Sequence, residues 1–165
     1  MRTIKQRRRK GKTDYMTRLK LLKSEKPRIV IRKSNRYLLS QYVESQEAKD
    51  KVIIGVSSKD LLKYGWPKEN QGSLKSIPAS YLTGLLFAKK ISEKGKKGKV
   101  IIDLGLIRNI KRSRVYALLK GLVDGGVDIN YKEEVFPPEN RIKGEHLKKK
   151  INFEDIKNKM KIFVK

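Results

Sequence analysis

Arg7-Arg8-Arg9-Lys10, flanked by Arg2, Lys5 and Lys12, forms a block of cations with no acid among them. Each ammonium or guanidinium that neutralises a phosphate releases condensed counterions, so such a block suits a polyanion bound with steep salt dependence. Arginine adds a planar fork that grips phosphate at two points and stacks on bases. Solubility or cellular targeting is the plainer reading of the same charges. A second cluster, Arg108-Asn109-Ile110-Lys111-Arg112-Ser113-Arg114, joins an apolar strand to a helix start. Backbone N–H groups there already favour an anion, and the surrounding cations add to it; a solvated loop is the alternative. Two readings are also open for Lys33-Ser34-Asn35-Arg36-Tyr37: an ordinary exposed turn, or a loop where Tyr37 or Tyr42 stacks on an unpaired base.

Chemistry beyond binding has little material. Asp103 ends an apolar run, where a carboxylate could hold a metal for phosphoryl transfer, but Asp60, Asp124 and Asp128 are not spaced to join it. An arginine partner or a local hydrogen bond is the expected role of Asp103. His146, the one histidine, sits among Arg141, Lys143 and the run Lys148–Lys150; it lacks companion ligands for a metal and reads as an RNA or surface contact. No phosphate-binding glycine motif is present, and the Gly95–Lys99 stretch reads as a turn.

Charge is distributed by region. Residues 1–36 hold fifteen Lys and Arg against two acids, residues 37–88 six against five, and residues 89–165 twenty-one against ten. This asymmetry within a +25 chain describes an ordered body with cationic arms and faces, and makes nucleic acid the first partner to consider. A length of 165 residues suits one domain. The absence of cysteine excludes disulfides, Cys-bound zinc, iron–sulfur clusters and a thiol nucleophile. Tyr81–Ala88 is too short an apolar run to span a bilayer, and no apolar segment follows the basic start, so the expectation is a soluble, intracellular, unprocessed protein.

The elements that would position these residues follow from period and punctuation. Residues 1–12 carry no apolar period and read as a disordered arm. Thr13-Asp14 caps a short helix ending near Ser24. Arg28–Lys33 and Tyr37–Val43 form a hairpin, with Ile29, Ile31, Leu39 and Val43 toward a core, and Lys51–Val56 adds an antiparallel strand. Residues 64–77 read as a loop, and Pro78 opens a helix to about Ile91, with Leu82, Leu85 and Leu86 on one side. Val100–Gly105 reads as a buried, central strand. Ser113 caps a helix carrying Val115, Leu118, Leu119 and Leu122, stopped by Gly125-Gly126. Val127–Asn130 suggests a further strand, residues 132–150 irregular chain, and Asn152 caps a last helix with Phe153, Ile156 and Met160 on one stripe. The fold class is α/β: a mixed sheet with antiparallel first strands and helices packed on it. Its divisions are an arm (1–12), an α/β RNA-binding domain (13–130) and a C-terminal extension with a terminal helix (131–165).

Arg2 with TDYMTRLKLLKSEKPRIVIRKSNRY (13–37), SSKDLLKYGWP (57–67), IPASYLTGLLFAKK (77–90), IIDLGLIRNIKRSRVYALLKGLVDGGVDI (101–129) and FPPENRIKGEHL (136–147) cover nearly the whole chain. In order and content they resemble the archaeal and eukaryotic branch of the large-subunit ribosomal protein that binds 5S ribosomal RNA, the eighteenth family of the universal large-subunit naming. The resemblance implies a ribonuclease-H-like topology shared by several translational proteins, without that enzyme's activity. It further implies a cytoplasmic ribosomal location in the central protuberance. Its partners there would be 5S ribosomal RNA, the large-subunit RNA, the neighbouring 5S-binding protein and other subunit proteins, with no cofactor, membrane or small-molecule substrate. Matched motif by motif, the implied RNA contacts are the arm (Arg2 to Lys12), Asp14, Tyr15 and Arg18, Lys33 to Tyr37, and Arg108 to Arg114. The chain departs from the pattern at Ile107–Arg112, where many members carry a Pro/Gly-containing loop. The rival readings are a metal-dependent nuclease built on Asp103 and an RNA-binding assembly factor that leaves the ribosome.

Overall fold

The computed structural model describes residues 5–47, 49–96, 98–147 and 151–160. Its strands are β1 (Arg28–Lys33), β2 (Leu38–Gln46), β3 (Lys49–Ser57) and β4 (Ile101–Asp103), and its helices are α1 (Gln6–Arg9), α2 (Tyr15–Lys23), α3 (Ile77–Glu93), α4 (Arg114–Asp124), α5 (Glu139–Lys143) and α6 (Phe153–Lys159). The strands form one mixed sheet in the order β3-β2-β1-β4. β2 is antiparallel to both β1 and β3, whereas β4 lies parallel to β1, as a strand arriving by a long helical connection does. Arg2 and Lys148–Lys150 fall outside the described residues.

One sheet face packs on α3 and α4. Ile29 and Ile31 point into this core as their alternation requires, joined by Leu38 and Tyr42 of β2 and by Ile54 and Val56 of β3. The inward row of β2 is therefore Leu38, Ser40 and Tyr42, so Tyr42, 3% exposed, is not placed to stack on a base; Leu39, expected inside, faces out and is 39% exposed. Val43, expected inside, is buried on the other face of the sheet opposite Arg28, and the register shift beside it leaves Ile53 of β3 as the extra residue.

Helix α3 is buried around most of its circumference, from Pro78 through Ala88, and not along one stripe. It lies alongside α4 in the same direction, with Gly84 against the Leu118 carbonyl, Gly121 against the Tyr81 carbonyl and Gly125 against Ala88. Glycine is required at 84 and 121 because a Cβ at either would stand 2.2 Å from a backbone oxygen. α4 buries Val115, Leu118, Leu119 and Leu122, the set its sequence period selects.

Four further expectations are corrected. β4 is an edge strand of intermediate burial, because the 127–130 segment does not pair as a strand beyond it. Residues 58–64 and 68–73 are 3₁₀ turns, the first closed by a Ser57–Asp60 capping box, and Trp66 between them is buried with its indole N–H on the Asn70 carbonyl. The stretch 132–150 contains a 3₁₀ turn and α5. Gln6–Arg9 make a single helical turn despite lacking an apolar face. Beyond residue 130, Phe136, Ile142, Ile151, Phe153, Ile156 and Met160 join the same core as the sheet. Among the described residues no helix is long and apolar enough to cross a membrane.

Candidate nucleic-acid interface

The topology gathers the cationic loops at one pole. β1 ends at Lys33, which pairs with Leu38, and β2 begins there beside Ser57 at the end of β3. β4 runs with β1, so its exit lies at the same end. The Val100 N–H donates to the Asp128 carbonyl, which brings the close of α4 to the start of β4; α4 therefore opens at the pole, as does its parallel neighbour α3. Gly144, just after α5, lies against Pro78 in the first turn of α3.

Between the arm, α2, the end of β1 and the chain leaving β4 lies an open cleft of about 410 Å³, lined by Arg7, Lys12, Asp14, Arg18, Arg32, Lys33 and residues 103–107 among others. The loop Arg108–Ser113 continues from this cleft into α4, with Arg108, Lys111, Arg112 and Arg114 exposed. Arg112 adopts φ 57° and its N–H donates to the Val135 carbonyl, which fixes the loop against the C-terminal extension. Ser113 occupies the N-cap position, yet its side chain makes no capping hydrogen bond. The first turn of α4 thus keeps N–H groups directed at the cationic pole.

The hairpin loop is built by Ser34. Its hydroxyl donates to the Tyr37 carbonyl and accepts from the Tyr37 N–H, both at 2.9 Å. Asn35 and Arg36 are left exposed at the tip. Tyr37 is half-buried, and the Lys59 ammonium stands 4.5 Å from its ring centroid, a cation–π contact that the sequence did not reveal. Asp14 caps α2 by accepting from the Met16 and Thr17 N–H groups and from the Thr17 hydroxyl. The Thr17 hydrogen bonds hold its carboxyl below the usual range. Asp14 therefore positions the helix start. Tyr15 receives the Lys5 ammonium at 4.8 Å, and Arg7 Nε donates to Thr13 Oγ1 at 3.0 Å, folding the arm back on α2. Arg8, Arg9 and Lys10 are exposed beyond these contacts.

Several ionic residues went unread in the sequence. Arg28 is 2% exposed on the sheet face opposite α3 and α4, with Asp50 at 2.7 Å and Asp103 at 3.7 Å. Arg32, two pleats along the same face, pairs with Asp103 at 3.3 Å, and the Gly105 N–H donates to the same carboxylate at 2.8 Å. Even spacing of Arg28 and Arg32 in an otherwise apolar strand was the available signal. Burial alone would raise the Asp50 carboxyl, but the Ser45 hydroxyl and the charges of Arg28 and Arg18 outweigh it and hold the group below its ordinary value. Arg141, Lys143 and His146 are exposed around α5 and do not line the cleft.

The family model described as "Ribosomal large subunit proteins 60S L5, and 50S L18" matches residues 1–99. The chain is similar to the large ribosomal subunit protein uL18 of Korarchaeum cryptofilum, 48% identical over 141 residues that cover 86% of this chain and 70% of the relative. The uL18 proteins of Methanoregula boonei (45% identity, 86% of this chain, 78% of the relative) and Methanothrix thermoacetophila (47%, 84% and 79%) are similar to it as well. Carrying the motifs, the mixed α/β sheet and the cationic pole together, the chain belongs to this family of large-ribosomal-subunit proteins.

Proposed function

We propose that this protein binds 5S ribosomal RNA through the cationic pole and helps attach it to the large-subunit RNA in the central protuberance of cytoplasmic ribosomes, beside the neighbouring 5S-binding protein. The observation that carries the reading is the convergence of Arg7, Lys12 and Lys33 on one cleft that continues into the Arg108–Arg114 loop. The resemblance of residues 13–37 and 101–129 supports 5S ribosomal RNA as the polyanion. A double-stranded RNA presents a deep groove closed to side chains, so contacts fall on phosphates, 2′-hydroxyls and unpaired bases. The arm, Tyr15, Lys33–Tyr37 and Arg108–Arg114 take those contacts, Asp14 and Ser34 shape the elements that present them, and Arg141, Lys143 and His146 extend the surface toward neighbouring RNA.

The work is architectural. Asp103, on which a nuclease reading would rest, is occupied by Arg32 and the Gly105 N–H. Among the described residues no three His, Cys, Asp or Glu side chains cluster to hold a metal. A nuclease-protection footprint with the purified chain tests the proposal: discrete protection of 5S ribosomal RNA, resistant to competition by other structured RNAs of equal size, is expected. Equal competition by those RNAs would overturn it.

A further inference from the structure

Helix α2 buries none of its nine residues. Met16 and Leu19 are 63% and 49% exposed, and Leu21 and Leu22 are half-buried. A helix this short falls below the roughly 12–15 residues that make an isolated helix even marginally stable, and apolar burial offers it little. Its long-range polar anchor is Arg18, whose Nη2 donates to Asp50 Oδ2 at 2.9 Å. Asp50 is tied to the sheet as well. Its other oxygen accepts from Arg28 Nη2 at 2.7 Å and from the Ser45 hydroxyl at 2.6 Å. Arg28 is itself fixed, buried in β1 and facing Asp103 on its other side. Onto the start of α2 hangs the arm, through Arg7 to Thr13 and Lys5 over Tyr15.

We propose that Asp50, held by the buried Arg28, is a fixed latch that, through Arg18, holds α2 on the outer face of the sheet and so pre-positions the cationic arm at the pole. Arg28, Asp50 and Arg18 are then positioning residues for RNA binding. The physical case rests on entropy. A half-exposed ion pair usually contributes little because two flexible side chains must be ordered for one contact. Here Asp50 is already held by Arg28 and Ser45, and Arg18 alone loses freedom. An arm docked in advance pays less ordering cost when it meets RNA than one sweeping from a loose tether. The inference rests on the RNA-binding reading above for its partner, but the latch itself can be measured without RNA.

The test uses the full chain and two readouts. In the absence of RNA, Arg18→Met should speed amide hydrogen exchange across residues 17–23 by roughly two- to fivefold, the scale of one partly exposed ion pair. Exchange at Ile31 and Leu85 should not change. Arg18→Lys should recover part of the protection. Because Asp50→Asn leaves the buried Arg28 with only the more distant Asp103 carboxylate and could unfold the sheet, Arg18→Met, which preserves the Arg28–Asp50 pair, is the deciding variant. In the second readout, the loss of 5S ribosomal RNA affinity caused by Arg18→Met should shrink to less than half when Arg7, Arg8, Arg9 and Lys10 are replaced by Gln. A direct Arg18–phosphate contact would cost the same in both backgrounds. Unchanged exchange in α2, or fully additive losses of affinity, would overturn the latch. Faster exchange in α2 together with no preference of the unaltered chain for 5S ribosomal RNA would overturn the partner assignment and leave the latch standing.

Discussion

Removing two positive charges at the pole should flatten the salt dependence of RNA binding, while removing two from the far end of β2, where the chain turns into β3, should leave it unchanged. The paired variants are Lys33→Gln/Arg36→Gln and Lys49→Gln/Lys51→Gln, which lower the formal charge of +25 equally. Lys33 lies opposite Leu38 and Lys49 opposite Gln46, so the nine residues of β2 separate the two sites. At about 3.3 Å per residue that separation is roughly 26 Å, some three times the ~8 Å Debye length at physiological salt. Phosphates held at the pole therefore do not sense the distal lysines. Each lost phosphate contact reduces the log–log slope by about 0.7–0.9, so the polar pair should cost about 1.4–1.8. Between roughly 50 and 200 mM salt, that difference changes the ratio of wild-type to variant affinity by about tenfold. Fluorescence anisotropy with labelled 5S ribosomal RNA across a salt series measures both slopes. An equal fall in slope for the distal pair, or none for the polar pair, would refute the assignment of RNA to this end of the molecule.

Gly84→Ala places a methyl group 2.2 Å from the Leu118 carbonyl oxygen. The gain in helix propensity, about 1 kcal/mol, is smaller than the cost of forcing two packed helices apart, so urea denaturation should show a net loss of about 1–3 kcal/mol. Gly72→Ala, where nothing lies within 4 Å of the added carbon, serves as the near-neutral comparison. The carboxyls of Asp14 and Asp50 titrate below the ordinary 3.8, so both stabilise the α2 region at pH above that value and lose their contribution as pH falls through the lowered range. The Thr17 and Arg18 amide resonances should accordingly move toward random-coil positions below pH 3.8, with Leu85 unaffected; unaltered Thr17 and Arg18 signals across that range would contradict the cap and latch geometry.

Periodicity carried the helices and the hairpin, because the burial of Val115, Leu118, Leu119 and Leu122 or of Ile29 and Ile31 is written in residue spacing. β2 resisted the same reasoning. Its inward row includes Ser40, buried with no hydrogen-bond partner for its hydroxyl among the described residues, while Leu39 faces outward, so the polar and apolar positions contradict the pleat. β4 looked central because VIIDLG is apolar on both sides, but strand order depends on what pairs beyond it, and the 127–130 segment contributes a single backbone hydrogen bond to Val100 and not a ladder. Within the interface, clustered cations could be read directly. The ionic chain from Arg18 through Asp50, Arg28 and Asp103 to Arg32 could not, because its members are brought together by register across three strands and a helix.

β3 forms one border of the sheet. A border strand presents unsatisfied amides and carbonyls to which a second copy could add, and a subunit component made before its RNA is at hand must wait without doing so. Charge is placed against that hazard: β3 opens with Lys49, Asp50 and Lys51, and the Lys94 ammonium at the end of α3 donates to the Ile53 carbonyl at 3.0 Å. Any chain approaching in register would have to bury these ammonium groups and displace one of them. The same lysine-rich character that favours a nucleic-acid partner thus discourages self-association during the interval before assembly.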